Sequence, residues 1–339
     1  MVSLETLSAT KIGIILNCPN IFKLKYVKHE PVPSSLNLIF GKEIHYFLEQ
    51  FYKKNYKSAE TFCNSFNYRW SRVIAGDYLK GKAKERLKVR EIPVALAGGK
   101  EYTLRVGNHV RFFEEIDKKT GEIVDSDRSA VKLYFSYRNL AASFKKNSDG
   151  SKTLVGGILK RFYDRHKPQD PPDEKEKRFK FNFRGYPIIG VWDRIDRRNG
   201  DCYITDYKTD KSYPKSVILH THLQFTIYSA AFREIFGEKE KDILYYHLRS
   251  GKVYKTKRGE HDYDTLEKIC EQVTRAIKNK EYEPRFGFQC GFCDYHIPCI
   301  SENPHLAERI LDVDKSRIVM PEEFDGWLMD EERDEERVA

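Results

Sequence analysis

At 339 residues, with 40% hydrophobic side chains, the chain is long enough for one large domain or two ordinary ones and carries the apolar material for a sizeable core, which excludes a disordered protein. The formal charge of +9 hides an asymmetry: residues 301–339 hold 13 acids against 5 bases, which leaves residues 1–300 at +17. A basic body suits a polyanion such as nucleic acid, because neutralising phosphates releases counterions, although charge alone sets neither fold nor specificity. No apolar run approaches a membrane span, and Met1-Val2-Ser3-Leu4-Glu5 does not resemble a secretion signal, so a soluble cytoplasmic protein is expected.

In chain order, Ser8 and Thr10 are placed to cap a short helix through Leu16, which Cys18-Pro19 ends because proline disfavours helical geometry at the residue before it. A helical segment runs on from about Phe40, with Ile44, Phe47, Leu48 and Phe51 on one face. Residues 53–170 read as a mainly helical insertion with loops near Ala97–Gly99 and Asn147–Gly150. Pro168 to Glu176 is a proline-rich charged connector, after which the period changes to alternation. Arg178–Arg184 places Phe179, Phe181 and Phe183 on one face; Gly185-Tyr186 turns; Pro187–Asp196 returns; Asn199-Gly200 is a hairpin turn; Cys202–Lys208 completes a three-stranded meander. A helix of about twenty residues follows Pro214, then a hairpin (Ile243–Leu248, Val253–Thr256) and a helix from about Tyr263 to Lys278. The last segment, Met329 to Arg337, is acid-rich and reads as a solvated tail.

The meander holds the most informative residues. Pairing about the Asn199-Gly200 turn sets Asp193 opposite Asp206, and two carboxylates so close repel unless a cation lies between them. A hard divalent ion takes oxygen ligands, so two aspartates, a backbone carbonyl at Tyr207 and waters suit Mg²⁺ or Mn²⁺. Lys208, two residues beyond Asp206, projects to the same face, where it can orient an attacking water or offset charge growing on a phosphate. An Asp-x-Lys triplet alone carries little; the phasing of strand, aspartate, turn and strand lifts it. Gly41 to His45 adds a histidine at a helix start as a candidate third ligand, and an imidazole favours Mn²⁺. Gln224 and Tyr228 share a helix face, the glutamine placed to hold a phosphate or water and the tyrosine to stack on a base, or else the two form a hydrogen-bonded core pair.

Seven cysteines in a chain without a secretion signal argue against a disulfide framework. Cys290, Cys293 and Cys299 form a Cys-x2-Cys-x5-Cys run, which points to a metal centre one ligand short. Either His296 completes a local zinc site, or a distant cysteine, best Cys18, completes a four-cysteine site for zinc or [4Fe–4S]. Cys63, Cys202 and Cys270 read as ordinary buried thiols.

Together these motifs resemble RecB-like and AddB-like nucleases of the PD-(D/E)XK superfamily, including the CRISPR-associated nucleases with a four-cysteine iron–sulfur site. Cys18-Pro19, Gly41 to His45, the strand pair from Glu176 to Asp193, Asp206-Tyr207-Lys208, Gln224 to Tyr228 and the closing cysteines follow the family's order. The resemblance implies an α/β restriction-endonuclease-like core over residues 1–300, with a central mixed sheet flanked by helices, and an acidic tail over 301–339. It implies that His45, Asp193 and Asp206 bind Mg²⁺ or Mn²⁺, that Lys208 is catalytic, and that Cys18, Cys290, Cys293 and Cys299 carry [4Fe–4S] as a clasp between the two ends of the domain. The expected activity is exonuclease-type hydrolysis of DNA single strands or ends, in repair, recombination or spacer acquisition, with a helicase or integrase as possible partner. A binding subunit of the same fold without turnover is the alternative.

Overall fold

The computed structural model describes residues 6–30, 36–70, 90–95, 101–106, 114–116, 123–126, 136–166, 168, 171–212, 215–295, 298–299 and 302–303. The expected acidic tail lies almost wholly outside them. Ser8 sits in extended backbone and its hydroxyl accepts the Lys11 N–H at 3.2 Å, which caps helix α1 (Ala9–Asn17). Extended Cys18 breaks that helix, and Pro19 opens α2 (Pro19–Phe22), where its missing N–H is no loss; a π turn over Lys23–Val27 follows. Helix α3 (Leu36–Lys54) buries Phe40, Ile44, Phe47, Leu48 and Phe51. It begins earlier than expected, because the apolar run through Leu36 and Ile39 extends it backwards, so His45 lies in mid-helix and not at its start.

Helix α4 (Ala59–Trp70) packs beside α3. Among the described residues, the expected helical stretch is helical at its two ends and over 136–141, with strands between. Antiparallel hairpins pair β1 (Arg90–Ala95) with β2 (Glu101–Val106), β3 (Glu114–Ile116) with β4 (Ile123–Ser126), and β5 (Ser143–Lys146) with β6 (Lys152–Gly156); α5 (Ile158–Arg165) follows. The period-two signal was there in Ile92 and Val94 and in Tyr102, Leu104 and Val106, but interleaved charges disguised it. The loop near Ala97–Gly99 lies outside the described residues; the one near Asn147–Gly150 joins β5 to β6.

The central sheet has the order β11-β10-β9-β8-β7. Strands β7 (Glu174–Phe183), β8 (Tyr186–Arg198) and β9 (Asp201–Lys208) form the expected antiparallel meander. The β7–β8 turn is Arg184-Gly185, both at positive φ (46° and 96°), one residue before the expected place. Strand β7 starts inside what reads as the connector. After β9 come α6 (Ser216–Thr221) and α7 (Leu223–Phe236), then β10 (Asp242–His247), parallel to β9, and β11 (Lys252–Thr256), antiparallel to β10. The single helix expected after Pro214 is split at His222, where Arg258 donates to the carbonyls of Leu219 and His222, both at 3.2 Å, and holds the joint open. Helix α8 (Glu260–Lys278) opens three residues before the expected start, with the Asp262 carboxylate accepting the Gly259 N–H at 2.8 Å.

One face of the sheet packs Phe179, Phe181, Trp192, Ile195 and Ile204 against α1, α7 and α8; the other packs Tyr207, Tyr246 and Leu248 against α3, α4 and α5. Gly190 pairs with Phe179, whose ring lies 4.3 Å from that of Trp192. A methyl group on Gly190 collides with the Phe179 ring. Gly190→Ala is therefore expected to lower stability by about 1–3 kcal/mol, the cost of overpacking, read from the midpoint of a urea unfolding curve.

Candidate metal centre and active site

The β8–β9 register runs through Arg194↔Thr205, so the next step sets Asp193 against Asp206. Asp193 Oδ2 accepts the Tyr207 N–H at 2.8 Å, which fixes its carboxylate across the two strands. Asp206 is 1% exposed; its Oδ1 takes no hydrogen bond, and its Oδ2 has Lys208 Nζ at 2.7 Å. Burial pushes its pKa up to about 6; Lys208 pulls it back and Asp193 adds to the rise. The same ion pair holds the lysine charged: burial opposes the charge, but Asp206 more than offsets it and raises the Lys208 pKa.

His45 faces the aspartates from α3. Its Nε2 lies 3.0 Å from the Tyr207 carbonyl, to which it donates, and this turns Nδ1 toward Asp193 Oδ1 and Glu176 Oε1, each at 3.5 Å. Burial disfavours an imidazolium there, yet Asp193, then Glu176, drives the His45 pKa well above its ordinary value. His45, Glu176 and Asp193 offer ligand atoms all within 4.8 Å of one another. The structure thus brings together His45 and Asp193, sets Asp206 and Lys208 beside them, and adds Glu176, which sequence reading left at the end of a charged connector. The observed register sets it there: Lys175↔Arg194 and Lys177↔Trp192 flank it and put it against Asp193. Glu176 has φ 46°, a left-handed backbone that costs a non-glycine residue about 1–3 kcal/mol and concentrates at functional sites.

A divalent cation fits this donor set. It would satisfy the unpartnered Oδ1 of Asp206 and replace the proton that Asp193 and Glu176 hold on His45. The Tyr207 carbonyl, expected as a ligand, has two lone pairs, so its bond to His45 leaves one for an ion. A cleft of about 870 Å³ opens beside His45 and Glu176, with Lys42, Lys211 and Arg249 as cations and Tyr46 and Tyr137 as rings.

Gln224 accepts from Lys208 Nζ at 2.9 Å and donates to the Tyr228 hydroxyl at 2.7 Å. The expectation that Tyr228 stacks on a base fails. Its side chain is 4% exposed and its ring meets that of Phe179 edge-on in the core, so it supports Gln224, which in turn positions Lys208.

At the other end of the domain, Cys18, Cys290, Cys293 and Cys299 converge and none of them is in a disulfide. Asn20 Nδ2 donates to Cys299 Sγ at 3.3 Å, the Tyr295 N–H to Cys293 Sγ at 3.3 Å, and the Arg285 N–H to Cys18 Sγ at 3.5 Å. Burial raises the Cys293 pKa, the hydrogen bond from the Tyr295 N–H lowers it, and Cys18, Cys290 and Cys299 raise it further. Among the described residues, no three of these sulfurs come within 4.8 Å of one another. A four-thiolate donor set fits a metal centre. The alternative ligand His296 lies outside the described residues. Cys63, Cys202 and Cys270 are buried elsewhere, as expected.

Two histidines away from the trio are kept neutral. Burial, then Arg194 and Arg165, holds His166 down at about 3, and burial, then Lys208 and Arg258, holds His222 at about 4. Unfolded histidine titrates near about 6.5, so the unfolded chain takes up these protons first. Their contribution is complete above that pH and is lost as pH falls toward 4. Between pH 7 and 4.5 the thermal midpoint of metal-free His166→Asn is expected to rise relative to that of the wild type; an unchanged difference would count against the assignment.

Among the described residues no helix is long and apolar enough to cross a membrane. No curated protein matches the sequence. Among solved structures, the chain is similar to SSO0001 (23% identity, TM-score 0.26, 37% of this chain and 58% of that one). It is also similar to an exonuclease candidate from Eubacterium rectale (12% identity, TM-score 0.40, 88% of each chain). The match to SSO0001 therefore spans less than two thirds of that protein's length. The PD-(D/E)XK nuclease superfamily matches residues 6–300, which include the Asp193–Asp206–Lys208 constellation, the His45 helix and the closing cysteines, and the chain belongs to that superfamily.

Proposed function

We propose that this protein is a divalent-metal-dependent deoxyribonuclease of the RecB/AddB-like kind, an exonuclease that acts on single strands or DNA ends. The observation that carries the reading is the His45, Glu176 and Asp193 trio lying beside a buried Asp206 that is paired to Lys208 through Oδ2 and has no partner at Oδ1. Mg²⁺ or Mn²⁺ held by His45, Glu176, Asp193 and Asp206 would polarise a phosphate and lower the pKa of a bound water. Lys208, kept charged by Asp206 and aimed by Gln224, stabilises the negative charge that grows on the phosphate. His45 is held by the Tyr207 carbonyl in the tautomer that presents Nδ1 to the carboxylates. Lys42, Lys211 and Arg249 attract the phosphate backbone into the cleft.

The four cysteines belong to the same proposal as a [4Fe–4S] clasp. Four thiolates suit either a [4Fe–4S] cluster or zinc, and the order of the cysteines in the family resemblance favours the cluster. Work beside a helicase or an integrase, in the cytoplasm, completes the reading implied by the resemblance.

The deciding experiment is cleavage of end-labelled single-stranded, duplex and flap DNA with Mg²⁺ or Mn²⁺. Products shortening from one end, lost on chelation, are expected. Tight DNA binding without cleavage under any of these conditions would replace the enzyme with a binding subunit of the same fold.

A further inference from the structure

A second groove, of about 720 Å³, runs between α3 and α4, and it shares Tyr46 with the catalytic cleft. Its lining is unlike that of a protein-binding groove. Among the described residues it carries Lys54 and Arg69 as charges and no carboxylate, with Thr61, Asn64 and Ser65 as hydrogen-bonding groups. Arg69 is pinned: its Nε and Nη2 donate to the two oxygens of Glu43 at 2.5 and 3.0 Å, and its guanidinium lies over the Tyr46 ring at 4.3 Å. The pair stands where the two cavities meet, since Tyr46 lines both and Arg69 the second. Beyond it Tyr68 presents its ring to solvent at 64% exposure, on a helix whose other aromatic residues, Phe62, Phe66 and Trp70, are fully buried.

Exposed planar groups set along a groove with cations and amides, continuous with a site for phosphodiesters, match one ligand chemistry: unpaired nucleotides, whose bases stack on aromatic and guanidinium planes whatever their sequence. A duplex hides the faces of its bases and offers this groove nothing to stack. We propose that the α3–α4 groove is an outer subsite that holds several unpaired nucleotides of the strand whose reacting phosphate lies in the catalytic cleft. The inference rests on the nuclease reading for what occupies the cleft, and it adds the substrate's path and its single-stranded state. Tyr46 and Arg69 form the threshold, and Tyr68 the far stacking platform.

The test is binding to Asp206→Asn protein, which separates it from turnover. Fluorescence anisotropy is read with labelled single strands of about 4 and about 15 nucleotides, and with a duplex of the longer length. Tyr68→Ala is expected to raise the Kd for the long strand by about ten-fold, the worth of one stacked base, and to leave the short strand and the duplex unchanged. Tyr68→Phe restores the affinity, and Lys54→Glu acts in the same length-dependent way. Both positions are exposed, and unchanged thermal midpoints confirm that the variants fold. Equal weakening of both lengths, or no effect on the long strand, would overturn the subsite. A wild-type protein that cleaves nothing, yet binds long strands in this Tyr68-dependent manner, would sink the nuclease reading and keep the groove.

Discussion

Asp206→Asn is expected to abolish metal-dependent cleavage, by about 10³-fold or more, and to remove the decline in stability that Asp206 gives the metal-free fold as pH rises through about 6. The two halves of that expectation have one cause. Asp206 is buried with no partner at Oδ1 and only Lys208 at Oδ2, and its pKa stands near 6 against an ordinary carboxylate value. A folded-state pKa raised above the unfolded one means that the folded state holds the proton more tightly, so the carboxyl's contribution to stability declines as pH rises through about 6. At pH 8 the charged group opposes folding unless a cation offsets it, and an amide of the same shape removes that opposition. A residue kept in spite of the fold is kept for its ligand. Lys208→Ala is expected to lower kcat by about 10²–10³-fold with little change in metal affinity, since its part is played in the transition state. Cleavage retained in either variant would remove the assignment, and circular dichroism melts would show whether the fold was intact.

The second large effect is at the clasp. Cys18→Ala is expected to yield colourless protein from an anaerobic preparation that is brown in the wild type, with a thermal midpoint lower by many degrees, because structural metal binding is itself folding free energy, about 10 kcal/mol for a four-ligand site. The segment at stake is large. Beside the cysteines, it is held by Asn20 to Cys299, by Lys23 to Glu302 at 2.9 Å and by Lys28 to Glu302, and exposed ion pairs of this kind contribute little alone. Alanine at Cys290, Cys293 or Cys299 is expected to act alike, whereas Cys63→Ala removes only packing. A colourless wild type holding one zinc would replace the cluster by a zinc site.

Much of this was legible in the residues. Alternating Phe179, Phe181 and Phe183, followed by an Asn-Gly turn, can be little other than a meander, and the turn fixes register, so the placement of Asp193 against Asp206 follows from counting. Ligand number offered two ways to complete the C-terminal cysteines, His296 or Cys18, and Cys18 lies near them. Glu176 was not, because its role depends on a backbone conformation that no propensity favours for glutamate, within a run of charges that conceals alternation. Tyr228 misled for the opposite reason: helical spacing puts it on the face of Gln224, but only the packing of Phe179 shows that this face is turned inward at its far end. The region from 90 to 156 hid its hairpins because short strands with polar residues on both sides carry little period of their own.

The separation in sequence of the groups that meet at the site has a consequence for timing. His45 reaches the Tyr207 carbonyl across 162 positions, and Asn20 reaches Cys299 across 279. Contacts so distant form late, because the entropy of closing their loops must be met before they reward it. A growing chain therefore carries the helix of His45 for many seconds before the sheet it docks on has been made, and the proposed centre does not exist until the two have met.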